Sequence, residues 1–265
     1  MKPKMRRKLK KTSALFFALI ILVFVALLGV IRFRPQGEKI IVNTNLTQQS
    51  SVNLNKSVID LSGWQQPENI DYNVLSQQVI GAIIRVQGNY GNADASATSN
   101  GEDTAYKQHI SEFQKRGVPV AVYAFVTGKN TQEMKQQAKD FYNRAKSYHP
   151  TYYWLDVEVT NMKDMNAGIE AFRAELASLG VKNIGIYAQD WFIQDNKINT
   201  SKFNAIWMAD YGRNTGVWDV SPTTTLPYDM QQYTDKGKIF GYSGNVDLSV
   251  LRSQTEYDKL FKNTN

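Results

Sequence analysis

The sequence predicts an α/β chain: a modified (β/α)8-like TIM barrel with fewer helices in its C-terminal part, preceded by one N-terminal transmembrane helix. Three observations carry this expectation. Eight short apolar runs rich in β-branched and aromatic residues follow one another from residue 57 onward. Stripes of apolar residues at helical spacing fill several of the gaps between them, and strands separated by helices imply parallel β-α-β units. Near the N-terminus stands a 20-residue run without a charge.

Residues 1–11 hold seven Lys or Arg and no acid, and are expected to form a cytoplasmic basic segment. The run TSALFFALIILVFVALLGVI at 12–31 is long enough, at about 1.5 Å per residue, to cross a bilayer core of roughly 30 Å as a helix. Only Arg32 and Arg34 follow it closely, so the positive-inside bias places the N-terminus in the cytoplasm and the body outside. The run exceeds the apolar region of a secretory signal, and GVIRFRPQG offers no small-residue cleavage site, which favours an uncleaved anchor. Residues 32–57 form a polar linker, rich in Asn, Gln, Ser and Thr, with a root-mean-square reach of about 25 Å.

A globular domain then covers 58–265, enough for one sizeable core. Strands are expected at 57–64, 81–88, 118–126, 151–159, 183–189, 205–211, 228–234 and 245–251. Tyr106, Ile110 and Phe113 mark a first helix, closed by Gly117. Met134, Ala138, Phe141, Ala145 and Tyr148 mark a second. Met165, Ile169, Phe172, Leu176 and Leu179 mark a third, closed by Gly180. The last three strands are joined by connections too irregular to read as helices. Only about 14 residues follow VDLSVL, too few for a separate wall-binding domain.

Composition narrows the chemistry. Nine of the 31 Lys and Arg precede residue 35, leaving 22 basic residues against all 24 acids in the rest of the chain. The body therefore lacks the positive field that nucleic acid requires. There is no cysteine, which excludes disulfides, a thiol nucleophile and cysteine metal sites. His109 and His149 share no metal-ligand spacing and read as surface or helix-end residues. GYSGN (241–245) lacks the glycine spacing and following helix of a serine-hydrolase elbow. GNYGNADASATSNG (88–101) lacks the P-loop lysine and reads as a loop, over a cleft or simply on the surface.

The remaining signal is a set of acids inside apolar strands. The first strand carries Asp60 (VIDLS), the fourth Asp156 and Glu158 (LDVEV), the last Asp247 (NVDLS). Barrel active sites lie at the C-terminal strand ends. Residues i and i+2 of a strand share a face, so Asp156 and Glu158 are expected to project together, beside Trp154. Two crowded carboxyls cannot both ionise cheaply, and one holds a proton near neutral pH. Two carboxyls in different protonation states are the equipment of glycoside hydrolysis.

Here the residues carry a resemblance. From about Val58 to Leu251, the stretches VIDLSGWQ, GAIIRVQGNYGNAD, RGVPVAVYAF, YWLDVEV, IGIYAQ, IWMADYG and YTDKGKIFGYSGNVDLS resemble the glycoside hydrolase family 25 muramidases, lysozymes with a modified β/α barrel. The resemblance implies that Glu158 is the general acid and that Asp156 positions the substrate's N-acetyl group. It places Asp60 and Asp247 on the cleft floor, where they tune that pair. It implies cleavage of the β-1,4 bond between N-acetylmuramic acid and N-acetylglucosamine in peptidoglycan, with no metal and no organic cofactor. The partners expected are peptidoglycan glycan strands, the membrane through the N-terminal helix, no nucleic acid, and cell-envelope assembly partners that the sequence does not name. Tyr123, Tyr187, Trp207, Tyr211 and Gln232 are the candidate sugar contacts, with barrel packing as the competing role for Tyr187 in particular.

Two positions depart from the family pattern. Tyr123-Ala124 stands where an aromatic-His pair is common, and Gln231-Gln232-Tyr233 where Trp-Gln-Tyr is common. The alternative function is therefore a catalytically weak glycan-binding module that positions a cell-wall-spanning assembly. A related endoglycosidase acting on another N-acetylated polysaccharide is a third reading.

Overall fold

Eight strands close into one barrel, in the order β1 (Ser57–Leu61), β2 (Val79–Gln87), β3 (Val120–Phe125), β4 (Tyr153–Asp156), β5 (Ile184–Gln189), β6 (Ala205–Ala209), β7 (Met230–Ile239) and β8 (Tyr242–Val250). The structure is a computed structural model describing residues 51–262 apart from 92 and 93. The basic segment 1–11, the expected membrane span 12–31 and most of the polar linker lie outside the described residues. No helix among the described residues is long and apolar enough to cross a membrane.

Each sequence run becomes a strand with boundaries moved by a few residues. The first seven strands pair in parallel, while β8 is antiparallel to both β7 and β1. That reversal was not expected. A tight turn at Gly241 (φ +99°) joins β7 to β8, and a hairpin necessarily sends its second strand back.

The three striped helices form where their apolar residues demand. In chain order the helices are α1 (Tyr72–Leu75), α2 (Tyr106–Lys115), α3 (Thr131–Ala145), α4 (Met165–Ser178), α5 (Asp190–Asp195) and α6 (Gln254–Tyr257). Asn130 caps α3 by accepting from the Glu133 amide, and Asp164 caps α4 from the Ala167 amide. Gly117 and Gly180 adopt positive φ (74° and 95°) one residue past the caps of α2 and α4. There the amides of Gly117 and Val118 bond back to Gln114 and Phe113, and those of Gly180 and Val181 to Ala177 and Leu176, which satisfies the last carbonyls of each helix. Between β5 and β8 only the short α5 intervenes, and the β6–β7 connection is irregular, as expected from its composition.

Strand alternation divides the core in two. One face of the strands packs against the helices, through residues such as Ile59, Ile84, Leu155, Phe141 and Phe172. The other face fills the barrel with Val58, Ile83, Ala121, Trp154, Trp207 and Met230. Phe261 and Leu260 close the end opposite the strands' C-termini, the Phe261 ring lying where a Cβ on Gly81 would come within 2.7 Å of it. Gly185 gives way to Trp154 in the same manner: a Cβ there would collide with the indole. Gly185→Ala is therefore expected to destabilise the barrel by about 1–3 kcal/mol through overpacking, measured as a lower urea midpoint. An unchanged midpoint would show that Trp154 has room to move.

Candidate active site

The strand ends deliver the acids to one place. Asp60 is the penultimate residue of β1 and Asp156 the last of β4. Asp247 comes early in its run, but β8 runs backwards, so Asp247 sits directly opposite Asp60 in the ladder. Glu158 falls two residues beyond the end of β4, which is shorter than the 151–159 stretch expected. The Val157 amide still bonds to the Tyr187 carbonyl at 2.9 Å, which keeps the segment extended. All four acids line a cavity of about 410 Å³ at the C-terminal mouth of the barrel. A deeper lobe of about 210 Å³ is shared by the same four carboxyls and by Tyr123, Tyr187, Trp207, Tyr211 and Gln232. The structure thus brings every sequence-nominated site residue to one cavity.

The contacts differ among them. Gln232, 2 % exposed, is a hub: its Nε2 donates to Asp60 Oδ2 at 3.0 Å, while its Oε1 accepts from the hydroxyls of both Tyr187 and Tyr211 at 2.7 Å. Trp207 is buried, its indole N–H donating to Ser249 Oγ at 2.9 Å and its rings set against Tyr187, Trp154 and Tyr123. It reaches the cavity only as floor. Tyr123 and Tyr211 are half-buried in the wall.

Burial dominates the electrostatics. Burial, then the adjacent Glu158, lifts Asp156 well above the ordinary carboxylate range, with Arg85 opposing. Glu158 is also raised by burial, while contacts with Tyr187 and Asp156 pull the other way. Asp60 is lifted by burial and then by Asp247. Asp247 is pushed up to about 7 by burial and then by Asp235. The site therefore keeps protons at pH values where free carboxyls have lost them. Asp156 Oδ1 is buried without a hydrogen-bond partner, an acceptor left for a donor from outside the protein.

A stability consequence follows from Asp247. Between about pH 4 and 7 the folded chain holds a proton that the unfolded chain releases, so stability is full below that window and falls as pH rises through it. Asp247→Asn is expected to flatten this fall and to raise stability at pH 8 by on the order of 1–3 kcal/mol, seen as urea midpoints at pH 5 and 8. An unaltered pH slope would mean that Asp247 ionises freely in the folded state.

Sequence reasoning missed Arg85, which lines the same cavity. Its guanidinium is held by Asp103 at 2.8 Å, Asp94 at 3.3 Å and the Ser96 hydroxyl. The signal was an isolated Arg inside IIRVQ with acids in the loop that follows. Asn89 and Asp94 of that loop also line the cavity, so part of 88–101 borders the cleft. Trp64, just past β1, forms its lip. His109 is a correction: it is fully buried within α2, Nε2 donating to the Ser62 carbonyl (3.1 Å) and Nδ1 accepting from the Tyr72 hydroxyl (2.6 Å). With both ring nitrogens satisfied, burial holds it below its ordinary pKa, and it serves the packing of α2. His149 ends a short helical turn with φ +50°, as a helix-end residue. Among the described residues no group of His, Asp and Glu is arranged to hold a metal ion.

The chain matches the family model described as glycosyl hydrolases family 25 over residues 59–242. It is 25% identical over 150 residues to the autolytic lysozyme of Clostridium acetobutylicum, a match covering 55% of this chain and 43% of that protein. The matched stretch thus spans less than half of the lysozyme's length. Among solved structures it is similar to GHIP, a glycosyl hydrolase 25 of Streptococcus pneumoniae described as a virulence factor participating in host cell invasion. That likeness has 50% identity and a TM-score of 0.77, covering 79% of this chain and 94% of that one. It is also similar to the catalytic domain of endolysin ply40 from bacteriophage P40 of Listeria monocytogenes, with 25% identity and a TM-score of 0.67, covering 77% and 96%.

Proposed function

Because the chain belongs to glycosyl hydrolases family 25, we propose that it is a lysozyme-type peptidoglycan hydrolase that cleaves the β-1,4 linkage between N-acetylmuramic acid and N-acetylglucosamine. The observation that supports this most is the convergence of Asp60, Asp156, Glu158 and Asp247 on one cavity, with carboxyls that burial and crowding keep protonated above the ordinary range. In this reading Glu158, the more exposed of the crowded pair, donates its proton to the leaving glycosidic oxygen. Asp156 receives the substrate's N-acetyl N–H on its unpartnered Oδ1, which orients that group to support the positive charge developing at the sugar carbon. Asp60 is fixed by Gln232 and, with Asp247, sets the protonation of the pair.

The same reading takes 1–11 as cytoplasmic, 12–31 as a membrane anchor, 32–57 as a tether and 58–265 as the catalytic domain on the outer face of the membrane. It is supported by the uncharged run and its basic N-terminal flank. Digesting purified peptidoglycan with the full chain and identifying the new reducing end by mass spectrometry tests the activity, with N-acetylmuramic acid expected. Binding without new reducing ends would instead make the protein a glycan-binding module. Protease accessibility of the barrel on intact cells tests the topology.

A further inference from the structure

The chain has five tryptophans, and their division is informative. Trp154 and Trp207 fill the barrel. Trp64, Trp191 and Trp218 are 60 %, 57 % and 47 % exposed, and each follows the C-terminal end of a strand: β1, β5 and β6 respectively. Large aromatic surface left in water is costly, and when it gathers on one face beside polar groups it marks a binding surface. Trp64 belongs to the acid-lined cavity. Trp191 does not. It borders a separate hollow of about 300 Å³ with Gln189, Asp190, Asp210 and Tyr211, and Tyr211 is also part of the wall of the acid-lined lobe. One side chain thus divides the two spaces.

The hollow's chemistry suits a sugar. Trp191 offers an indole braced edge-on by Phe192 at 5.8 Å. Gln189 makes no side-chain hydrogen bond among the described residues, so its amide keeps both donors and acceptor. Asp210 accepts from the Gly212 amide through Oδ1 only, and the Asp190 oxygens accept one bond each, from Thr224 and Gln194, leaving lone pairs free. An aromatic face for C–H surface, carboxylates for hydroxyls and an amide for an acetamido group form the complement of an N-acetylated pyranose.

Resting on the hydrolase reading above, we propose that this hollow is a sugar-binding subsite. It holds, on the β5–β6 side of Tyr211, a ring of the same glycan strand next to those over the carboxyls. The strand then lies across the mouth from Trp64 toward Trp191, and binding tightens with strand length until this ring is reached.

The test is calorimetric titration of the full chain with β-1,4-linked N-acetylglucosamine oligomers of two to six sugars. Affinity is expected to rise with length, and Trp191→Ala to weaken the longer oligomers about 3–10-fold while abolishing the gain, with Trp191→Phe restoring part of it. Circular dichroism of both variants checks that the fold is kept, and a change at this half-exposed position should leave it so. Equal affinities of parent and Trp191→Ala for every length would overturn the subsite, as would no binding by the parent. Peptidoglycan cleavage by the same preparations separates the two readings. Cleavage without Trp191 dependence sinks the subsite alone, whereas Trp191-dependent binding without cleavage sinks the hydrolase reading alone.

Discussion

Replacing Glu158 by Gln is expected to lower the rate of peptidoglycan cleavage by about 10²–10⁴-fold, the usual weight of a general acid. Gln keeps the shape and the hydrogen-bonding capacity of the side chain but cannot release a proton. It also removes one of two crowded carboxyls, so folding stability at neutral pH should hold or rise, and loss of rate is then not loss of structure. The pH profile supplies a second signature. Glu158 is raised above its ordinary range by burial, so activity that depends on its proton is present at low pH and falls as pH rises through its pKa. In Glu158→Gln that alkaline limb should vanish from any residual rate. A variant that retains parental turnover and limb would transfer the acid role elsewhere in the cluster, Asp156 being nearest.

Trp207→Ala is expected to cost about 3–5 kcal/mol of stability, the range for emptying a large aromatic site. The indole is 1 % exposed and touches three other rings, with centroids at 4.5 Å (Tyr187), 5.8 Å (Trp154) and 6.3 Å (Tyr123). Truncation opens a hole beneath the carboxyls and leaves the buried Ser249 hydroxyl without its donor. In a domain of this size such a loss corresponds to a melting point lower by roughly 6–20 °C. Trp207→Phe refills most of the hole and should cost about 1–2 kcal/mol, chiefly the missing hydrogen bond. Urea denaturation of both variants checks the ranking. A cost below about 1 kcal/mol for Ala would mean that the ring faces open cleft and carries no packing.

Much of this architecture was readable because it is local. Alternating apolar runs and 3.6-residue stripes are statements about faces, and each became the strand or helix it implied. Asp60 and Asp156 were conspicuous for the same reason: an acid between aliphatic neighbours must have a partner or a purpose. What escaped depended on direction and distance. Nothing in NVDLS says which way the strand points, so the alignment of Asp247 with Asp60 emerged only from the reversal of β8. Arg85 resembled an ordinary strand residue until a loop nine to eighteen positions later returned Asp94 and Asp103 to it. His109 falls on the buried stripe of α2 with Tyr106, Ile110 and Phe113, a cue to burial in its spacing, but its partners, a backbone carbonyl and a tyrosine remote in sequence, were not legible. Gln232 was nominated as a sugar contact, but the sequence did not show that it joins Asp60 to Tyr187 of β5 and to Tyr211, two residues past β6.

The seam between β1 and β8 makes the order of synthesis matter. A ribosome that has delivered the chain as far as β6 has already produced Asp60, Asp156 and Glu158, but has yet to make Gln232 or Asp247. The polypeptide made to that point carries Asp60, Asp156 and Glu158 without the Gln232 bond to Asp60 or the Asp247 that faces it, and the cavity acquires its last wall only when the final strand returns to meet the first.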